Sequence, residues 1–199
     1  LGVITAAVVK LFPRPRAVET AFIGVPSPAA AVKLLNQAQA QVGGTVTSFE
    51  LIVSDVIAFA LKHVHGTRDP LAGKHPWYVL MEVSSQHGEG LRESVEQLLA
   101  DASAEGLVKD ATIAASLDQA KAFWHLRHVL PEAQKPEGGS IKADLSVPIA
   151  SVPQFLEEAA AGIIDDFQAN LLLGDLRWRL ADKRVRACER LIADIVNGC

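Results

Sequence analysis

Arg127 and Lys142 are the two residues of this sequence whose types and placement best suit a chemical role. Arg127 lies in an apolar helical pattern that runs from Phe123 to Leu130, whereas Lys142 lies in the alternating segment from Ser140 to Val147. A helix and the strand that follows it can present two cations at one point. A guanidinium binds a carboxylate through two parallel hydrogen bonds, and an ammonium adds a mobile point charge. The pair therefore predicts a clamp for a carboxylate.

The same two cations can instead belong to structural ion pairs, for which Glu132 and Asp144 are the nearby candidates. Arg127 lies close beside the apolar stripe of its helix, where an unpaired charge costs several kcal/mol. It therefore needs an anionic partner, either a side chain or a ligand. The residues alone favour the structural ion pair over the ligand.

Glu50 and three histidines are further candidates, and each has a simpler structural interpretation. Glu50 lies in a predicted strand, where a carboxylate is more often solvated or ion-paired than functional. To bind a metal, the histidines would need to converge on one face with a further ligand. These histidines are His63, His65 and His75. Turn-forming residues around them favour an irregular polar loop instead: Gly66, Asp69, Pro70 and Gly73.

The composition indicates a well-packed chain that does not bind nucleic acid. Its 199 residues suit one or two domains, and 49% of them are hydrophobic. The formal net charge is −4, and the basic residues are scattered instead of forming a block. This pattern argues against the electrostatic footprint of a nucleic-acid partner.

Signals for a compartment or a membrane are sparse in the sequence. The two cysteines, Cys188 and Cys199, form no C-x-x-C or Cys/His spacing, and we therefore expect a reducing, cytoplasmic environment. Charged residues interrupt the apolar runs well before the ~20 residues that a transmembrane helix needs, so none is predicted. There is no signal-peptide pattern, and the first residue, Leu1, is not methionine, which suggests a piece of a longer protein.

Alternating strand and helix patterns predict the fold. The predicted strands are 1–12, 17–25, 45–52, 77–84, 109–114 and 140–147. The predicted helices are 28–42, 54–62, 90–105, 117–130 and 151–167, the fourth of them ended or kinked by Pro131. The unit strand, helix, strand occurs twice, with no glycine-rich nucleotide loop at either joint. This order favours an α+β fold, a ferredoxin-like antiparallel sheet with helices packed on one face, over a Rossmann sheet.

The opening segment, LGVITAAVVKLFPRP, resembles the end of the FAD-binding domain in FAD-linked oxidases. There a G-T-L-G-[IV]-[IV]-T segment passes close to the cofactor before a K-L-x-P-x-P linker enters the substrate domain. The resemblance implies that Gly2, Val3 and Ile4 contact FAD, the first by permitting close backbone approach and the others through main chain. A plain core strand that begins with a glycine explains this segment, taken alone, about as well.

A second segment, WHLRHVLPEAQKPEGGSIKADLSVP, resembles the W-x-x-R-[EH]-x-[IL]-[PT]-E-A…G-x-x-x-K-x-D-[IV]-S-[VL]-P pattern of the D-2-hydroxyglutarate and D-lactate dehydrogenase group. In that group the arginine and the lysine hold the substrate carboxylate, so the resemblance assigns substrate binding to Arg127 and Lys142. Some members have a hydroxyl residue four positions after the arginine. Here that position is Pro131, so this contact is absent.

The resemblance weakens after about residue 165. The family continues with H-x-G-D-G-N-x-H, whose histidines bind a divalent metal, and later with S-A-E-H-G-x-G. The nearest segment here is LLLGDLRWRL, in which Leu172 and Arg179 stand where the histidines belong. Neither residue type ligates a metal. We therefore assign no metal ligand and no catalytic residue in this sequence.

These observations predict three regions: the last strand of an FAD-binding domain with its linker (1–15), a substrate domain (16–168), and a divergent or truncated helical segment (169–199). The resemblance implies an FAD-dependent dehydrogenase that oxidises a D-2-hydroxy acid, like 2-hydroxyglutarate or lactate, to the 2-oxo acid. The implied partners are that acid and an FAD domain, and a second copy of the chain is a further candidate partner. The isolated chain is expected to be inactive. The alternatives are a non-catalytic remnant and a carboxylate-binding or interaction module with the same fold.

Overall fold

A four-stranded antiparallel sheet lies at the centre of the chain in the computed structural model, which describes residues 5–9, 11, 13–137 and 147–159. The strands are β1 (Ala17–Val25), β2 (Thr45–Val53), β3 (Trp77–Ser85) and β4 (Asp110–Ile113). Their order in the sheet is β2-β3-β1-β4, and every neighbouring pair is antiparallel. This order is that of a ferredoxin-like fold, so the predicted α+β class is confirmed.

Helices connect and follow the strands. They are α1 (Pro28–Gln41), α2 (Ser54–His63), α3 (Leu91–Ala104) and α4 (Leu117–Ala133). Two short 3₁₀ turns, Lys135–Glu137 and Ile149–Ser151, lie on either side of residues 138–146, and residues 152–159 are helical.

The sheet carries helices on both faces, not on one as predicted. On the first face α1 and α3 enclose a core whose fully buried members include Ile23, Leu34, Met81, Val95 and Leu98. On the second face α2 and α4 enclose another core, which includes Phe22, Ile57, Leu80, Phe123 and Leu126. Phe22 and Ile23 are adjacent in β1 and both 0% exposed. Because successive side chains of a strand point to opposite faces, β1 requires cover on both sides.

Helix α4 is set in place by its first turn. The Ser116 hydroxyl accepts a hydrogen bond from the Gln119 backbone N–H (3.2 Å), and the Gln119 side chain accepts one from the Ala115 N–H (2.8 Å). Ser116 is therefore the N-cap of α4, and the two bonds form a capping box. Pro131 does not end the helix, because it lies in the last turn and its missing N–H removes only one hydrogen bond before the helix stops at Ala133.

The described residues of the opening segment do not form the predicted strand. Residues 5–9 and 11 have no regular secondary structure, and the side chains of Val8, Val9 and Leu11 are 103%, 72% and 85% exposed. A strand is stable only beside another strand, and in the part of the chain that the structure describes none pairs with this segment. The predicted strand at 140–147 lies almost entirely outside the described residues.

Candidate functional site

The candidate site lies on the second face of the sheet, where α4 passes beside β3 and β2. Glu50 of β2 alternates with Ile52, and Glu82 of β3 alternates with Leu80, which both belong to the second core. The two carboxylates therefore lie on that same face of neighbouring strands. Helix α4 meets Glu82 with Trp124 and Glu50 with Arg127.

Arg127 forms an ion pair with Glu50 across this junction. One carboxylate oxygen, Oε2 of Glu50, accepts from Nη2 of Arg127 at 3.1 Å and from Nε at 3.4 Å. The two side chains are 38% and 35% exposed, so solvent reaches both of them. A guanidinium carries five N–H donors, and Glu50 engages two of them. Arg127 therefore already binds one carboxylate and keeps donors for another.

Trp124 is joined to β3 by a polar contact as well as by packing. Its indole Nε1–H donates to Oε2 of Glu82 at 3.0 Å, and the Thr47 hydroxyl donates to Oε1 of the same carboxylate at 3.1 Å. The ring of Trp124 also stacks on His128, with 5.9 Å between the ring centroids. Both oxygens of Glu82 are therefore engaged, and the bond to Trp124 holds α4 against the sheet.

The residues predicted for the site fall into two groups. Arg127 is described, and its partner is Glu50, not the predicted Glu132, which instead contacts Lys135. The ion pair of Arg127 agrees with the structural interpretation that the residue types alone favoured. Lys142 and Asp144 lie outside the described residues, as do the three predicted cofactor contacts, Gly2, Val3 and Ile4. Their roles stay predictions.

Sequence reasoning missed the polar roles of Glu82 and Thr47. A signal was present, because Glu82 follows Tyr78 and Leu80 at alternate positions in a strand that is apolar from Trp77 to Met81. An acidic residue on a largely buried face requires hydrogen-bonding partners. The identity of those partners depends on how α4 packs, which a strand pattern does not contain.

The three histidines near residues 63–75 have separate surroundings. Nε2 of His63 lies 2.5 Å from Oε1 of Glu137, which also accepts from Lys62 at 2.7 Å. His75 Nε2 lies 3.6 Å from Oδ2 of Asp110. His65 is exposed. Among the described residues no group of three or more histidine, cysteine, aspartate or glutamate side chains is arranged to hold a metal ion.

Hydrogen bonds change the acidity of Glu137. The bonds from Lys62 and then from His63 lower the pKa of the Glu137 carboxyl below its ordinary value of 4.5. Glu137 is the last residue described before the segment that contains Lys142. These bonds therefore attach the end of the 3₁₀ turn to the C-terminal turn of α2.

In the ranges that the structure covers, no helix combines the length and the apolar character needed to cross a bilayer.

Comparison with known proteins points to one family. The model of the family described as "FAD linked oxidases, C-terminal domain" matches residues 14–174. The chain is 30% identical over 176 residues to mitochondrial D-2-hydroxyglutarate dehydrogenase of Arabidopsis thaliana, which covers 88% of this chain and 30% of that protein. It is 32% identical over 149 residues to the enzyme of the same name from Rattus norvegicus, covering 75% and 28%. The chain thus spans less than a third of the length of these relatives.

The comparison overturns the predicted cytoplasmic location. The names of both relatives place them in mitochondria. The prediction rested on the low cysteine content, which argues against a disulfide framework but does not separate one reducing compartment from another.

Proposed function

This chain belongs to the family of FAD-linked oxidase C-terminal domains, and we propose that it is the substrate domain of an FAD-dependent dehydrogenase for a D-2-hydroxy acid. The proposed substrate resembles 2-hydroxyglutarate or lactate and is oxidised to the 2-oxo acid. In this proposal residues 1–15 end an FAD-binding domain, residues 16–168 form the substrate domain, and residues 169–199 are a divergent helical segment. The names of the relatives support the substrate class.

The observation that carries the proposal is the exposure of Arg127 and its contact with a carboxylate. This arginine lies in the W-x-x-R pattern of the family, is partly exposed, and binds a carboxylate oxygen through two of its nitrogens. We propose that it binds the substrate carboxylate together with Lys142. A bidentate guanidinium fixes the direction of the carboxylate, and the ammonium adds charge without a fixed geometry.

The residues of this chain orient the substrate and do not react with it. FAD, when bound, would accept the hydride that leaves the carbon bearing the hydroxyl group, and the hydroxyl proton, which must also leave, is assigned to no residue of this chain. Holding the carboxylate at two cations limits the rotation of the substrate, which brings that carbon to a defined position. Gly2, Val3 and Ile4 would contact the flavin nucleotide through main chain, and most of its other contacts would come from the FAD domain.

No metal-dependent step is included in the proposal. The family motif that binds a divalent metal corresponds to LLLGDLRWRL in this sequence, where leucine and arginine replace the histidines. That segment lies outside the described residues.

A titration of the full chain tests the carboxylate clamp. D-2-hydroxyglutarate and D-lactate are titrated separately into the wild-type chain, Arg127→Ala and Lys142→Ala. We expect each variant to lose about tenfold or more in affinity, because each removes a charge-assisted hydrogen bond. Lys121→Ala is the matched control, since Lys121 lies on the same helix but is exposed and pairs with Asp118. Equal binding by all four proteins would refute the clamp.

Three further observations separate the alternatives. The purified chain is expected to be colourless and to lack dehydrogenase activity, because its flavin site depends on another domain; a yellow protein would contradict this. Specific binding of D-2-hydroxyglutarate by a protein whose complete gene encodes no FAD domain would favour the non-catalytic remnant. Concentration-dependent association without any carboxylate binding would favour the interaction module.

A further inference from the structure

Glu50 engages one edge of the Arg127 guanidinium. Its Oε2 atom accepts from Nε at 3.4 Å and from Nη2 at 3.1 Å, which lie on the same side of the planar group. The remaining three donors are the two N–H groups of Nη1 and the second N–H group of Nη2. One N–H group of Nη1 and this second N–H group of Nη2 are parallel and form the outer edge of the guanidinium. A second carboxylate can bind that edge bidentately without displacing Glu50.

The carboxylate of Glu50 is presented from a rigid element. Its neighbours in β2, Phe49 and Leu51, pack against the first core, and the next residue, Ile52, is only 6% exposed. Glu50 is also opposite Leu80 in the β2–β3 ladder, and Leu80 is fully buried. Packing on both faces of β2 therefore leaves little freedom at the base of the Glu50 side chain.

The base of Arg127 is fixed as well. The preceding residue, Leu126, is 2% exposed in the second core. One turn earlier in α4, Trp124 donates to Glu82 at 3.0 Å. The Arg127 side chain beyond its base is long and carries several rotatable bonds, and Glu50 is the contact that orients its end.

We propose that Glu50 is a positioning residue, which holds Arg127 so that the outer edge of its guanidinium faces the substrate carboxylate. This inference rests on the proposed function, in which Arg127 binds that carboxylate. The exposure of the pair, 38% for Arg127 and 35% for Glu50, leaves the outer edge accessible. Glu50 does not touch the reacting atoms in this proposal and acts only through Arg127.

If Glu50 instead blocked the site, its removal would have the opposite effect on substrate affinity. If Glu50 occupied the position that the substrate carboxylate needs, it would compete with the substrate, and its removal would strengthen binding. If Glu50 positions Arg127, its removal weakens binding, because the arginine must then be ordered when the ligand binds.

The test compares Glu50→Ala and Glu50→Gln with the wild-type chain in titrations with D-2-hydroxyglutarate. We expect a loss of affinity of about tenfold for Glu50→Ala. Glu50→Gln keeps an acceptor oxygen at the same reach, so we expect it to restore part of the lost affinity. Glu96→Gln is the matched control: its carboxylate pairs with Arg92, and it is expected to leave the affinity unchanged. Tighter or unchanged binding by Glu50→Ala overturns the proposal.

Varying the salt concentration separates a positioning role of Glu50 from a through-space effect of its charge. Removing a negative charge near the site raises anion affinity through space, and that effect weakens as the salt concentration increases. The titrations are therefore repeated at about 0.15 M and about 0.5 M salt. We expect the loss in Glu50→Ala to persist at both concentrations. A loss at about 0.15 M that disappears at about 0.5 M salt contradicts the positioning role.

A spectroscopic measurement excludes a merely structural role. The Nε–H signal of Arg127 is identified in ¹⁵N spectra by its absence from Arg127→Lys. In the wild-type chain we expect slow exchange of this proton with water, since Glu50 accepts from it. Glu50→Ala is expected to speed this exchange, while the backbone amide signals keep the dispersion of a folded protein. Unchanged exchange at Arg127 would overturn the proposal.

The failure of this inference is distinguishable from the failure of the proposed function. If Arg127→Ala binds D-2-hydroxyglutarate as well as the wild type does, the clamp itself is wrong. If Arg127→Ala loses binding but Glu50→Ala does not, only the positioning role is wrong. In the double variant we expect no further loss beyond Arg127→Ala, because Glu50 acts through the arginine.

Discussion

At the residue scale, the contact between Arg127 and Glu50 gives the chain a carboxylate-binding arginine that is partly exposed. The sequence predicted that Arg127 needs an anionic partner, because it lies beside an apolar stripe. Of the two predicted partners, Glu132 pairs with Lys135 instead, and Asp144 lies outside the described residues; both had been sought nearby in the sequence. The observed partner is 77 positions away and reaches Arg127 only through the register of β2 and the packing of α4.

Replacing Arg127 by lysine tests whether charge alone suffices at this position. Lysine keeps the positive charge but has no planar fork, so it cannot bind Glu50 and a ligand on two edges at once. We expect Arg127→Lys to bind D-2-hydroxyglutarate about tenfold more weakly. Its thermal midpoint should stay within a few degrees of the wild type, because the pair is partly exposed. Affinity equal to the wild type would show that only charge matters.

Glu19 and Glu137 are expected to make stability depend on pH in opposite directions. Burial raises the pKa of the Glu19 carboxyl above 4.5, although the nearby Arg92 opposes this effect. The folded state therefore holds the Glu19 proton more tightly than the unfolded state. This contribution to stability is present below pH 4.5 and is lost as pH rises through the folded pKa. For Glu137, whose pKa is lowered, the contribution is present above pH 4.5 and is lost as pH falls.

Urea unfolding of Glu19→Gln and Glu137→Gln at about pH 4 and about pH 7 measures both effects. We expect the free energy of unfolding of Glu19→Gln, taken relative to that of the wild type, to increase when the pH is raised from the lower to the higher value. Glu137→Gln should lose stability over the same change. The same sign of change in both variants would contradict the assignment.

At the element scale, the strands and helices with clear boundary signals were well predicted. Strand β1 has the predicted bounds, Ala17–Val25, because it is a short apolar segment between prolines. Helix α1 begins where it was predicted to, at Pro28, and the Ser27 hydroxyl caps it by accepting from the Ala30 N–H at 3.2 Å. The second helical layer was not predicted. Periodicity shows which side of α2 and α4 is apolar, but not which face of the sheet that side covers.

Replacing Trp124 tests how α4 is held against the sheet. Trp124→Phe removes the indole N–H that donates to Glu82 but keeps an aromatic ring in the same place. We expect a loss of about 1–3 kcal/mol in the free energy of unfolding, because an acceptor on a partly buried face loses its donor. Since Arg127 follows one turn later, carboxylate affinity should fall as well. Unchanged stability and unchanged affinity would show that the bond does not hold the helix.

Replacing Gly44 tests how closely the loop before β2 approaches β3. A Cβ atom at Gly44 would lie 2.5 Å from the backbone oxygen of Ser84 and 3.0 Å from Cδ1 of Leu91. We therefore expect Gly44→Ala to destabilise the fold by about 1–3 kcal/mol, as measured by urea unfolding. Gly88→Ala is the control, because nothing lies within 4 Å of its added Cβ. Equal stability of the two variants would contradict the packing of this loop.

At the scale of the whole molecule, the fold places a carboxylate-binding arginine on the side of the sheet that carries α4. The sequence identified the family, because its motifs at 1–15 and 124–148 are local patterns of residue type and spacing. It did not identify the network of Glu50, Glu82 and Thr47. These residues are brought together by strand register and helix packing, which involve residues far apart in the chain.

The most direct test of the central claim follows the Arg127 Nε–H signal during titration with D-2-hydroxyglutarate. The account predicts a saturable shift of this signal in the wild-type chain, with an apparent affinity that falls in Lys142→Ala. An Arg127 signal that stays unmoved while D-2-hydroxyglutarate binds elsewhere on the chain would contradict it.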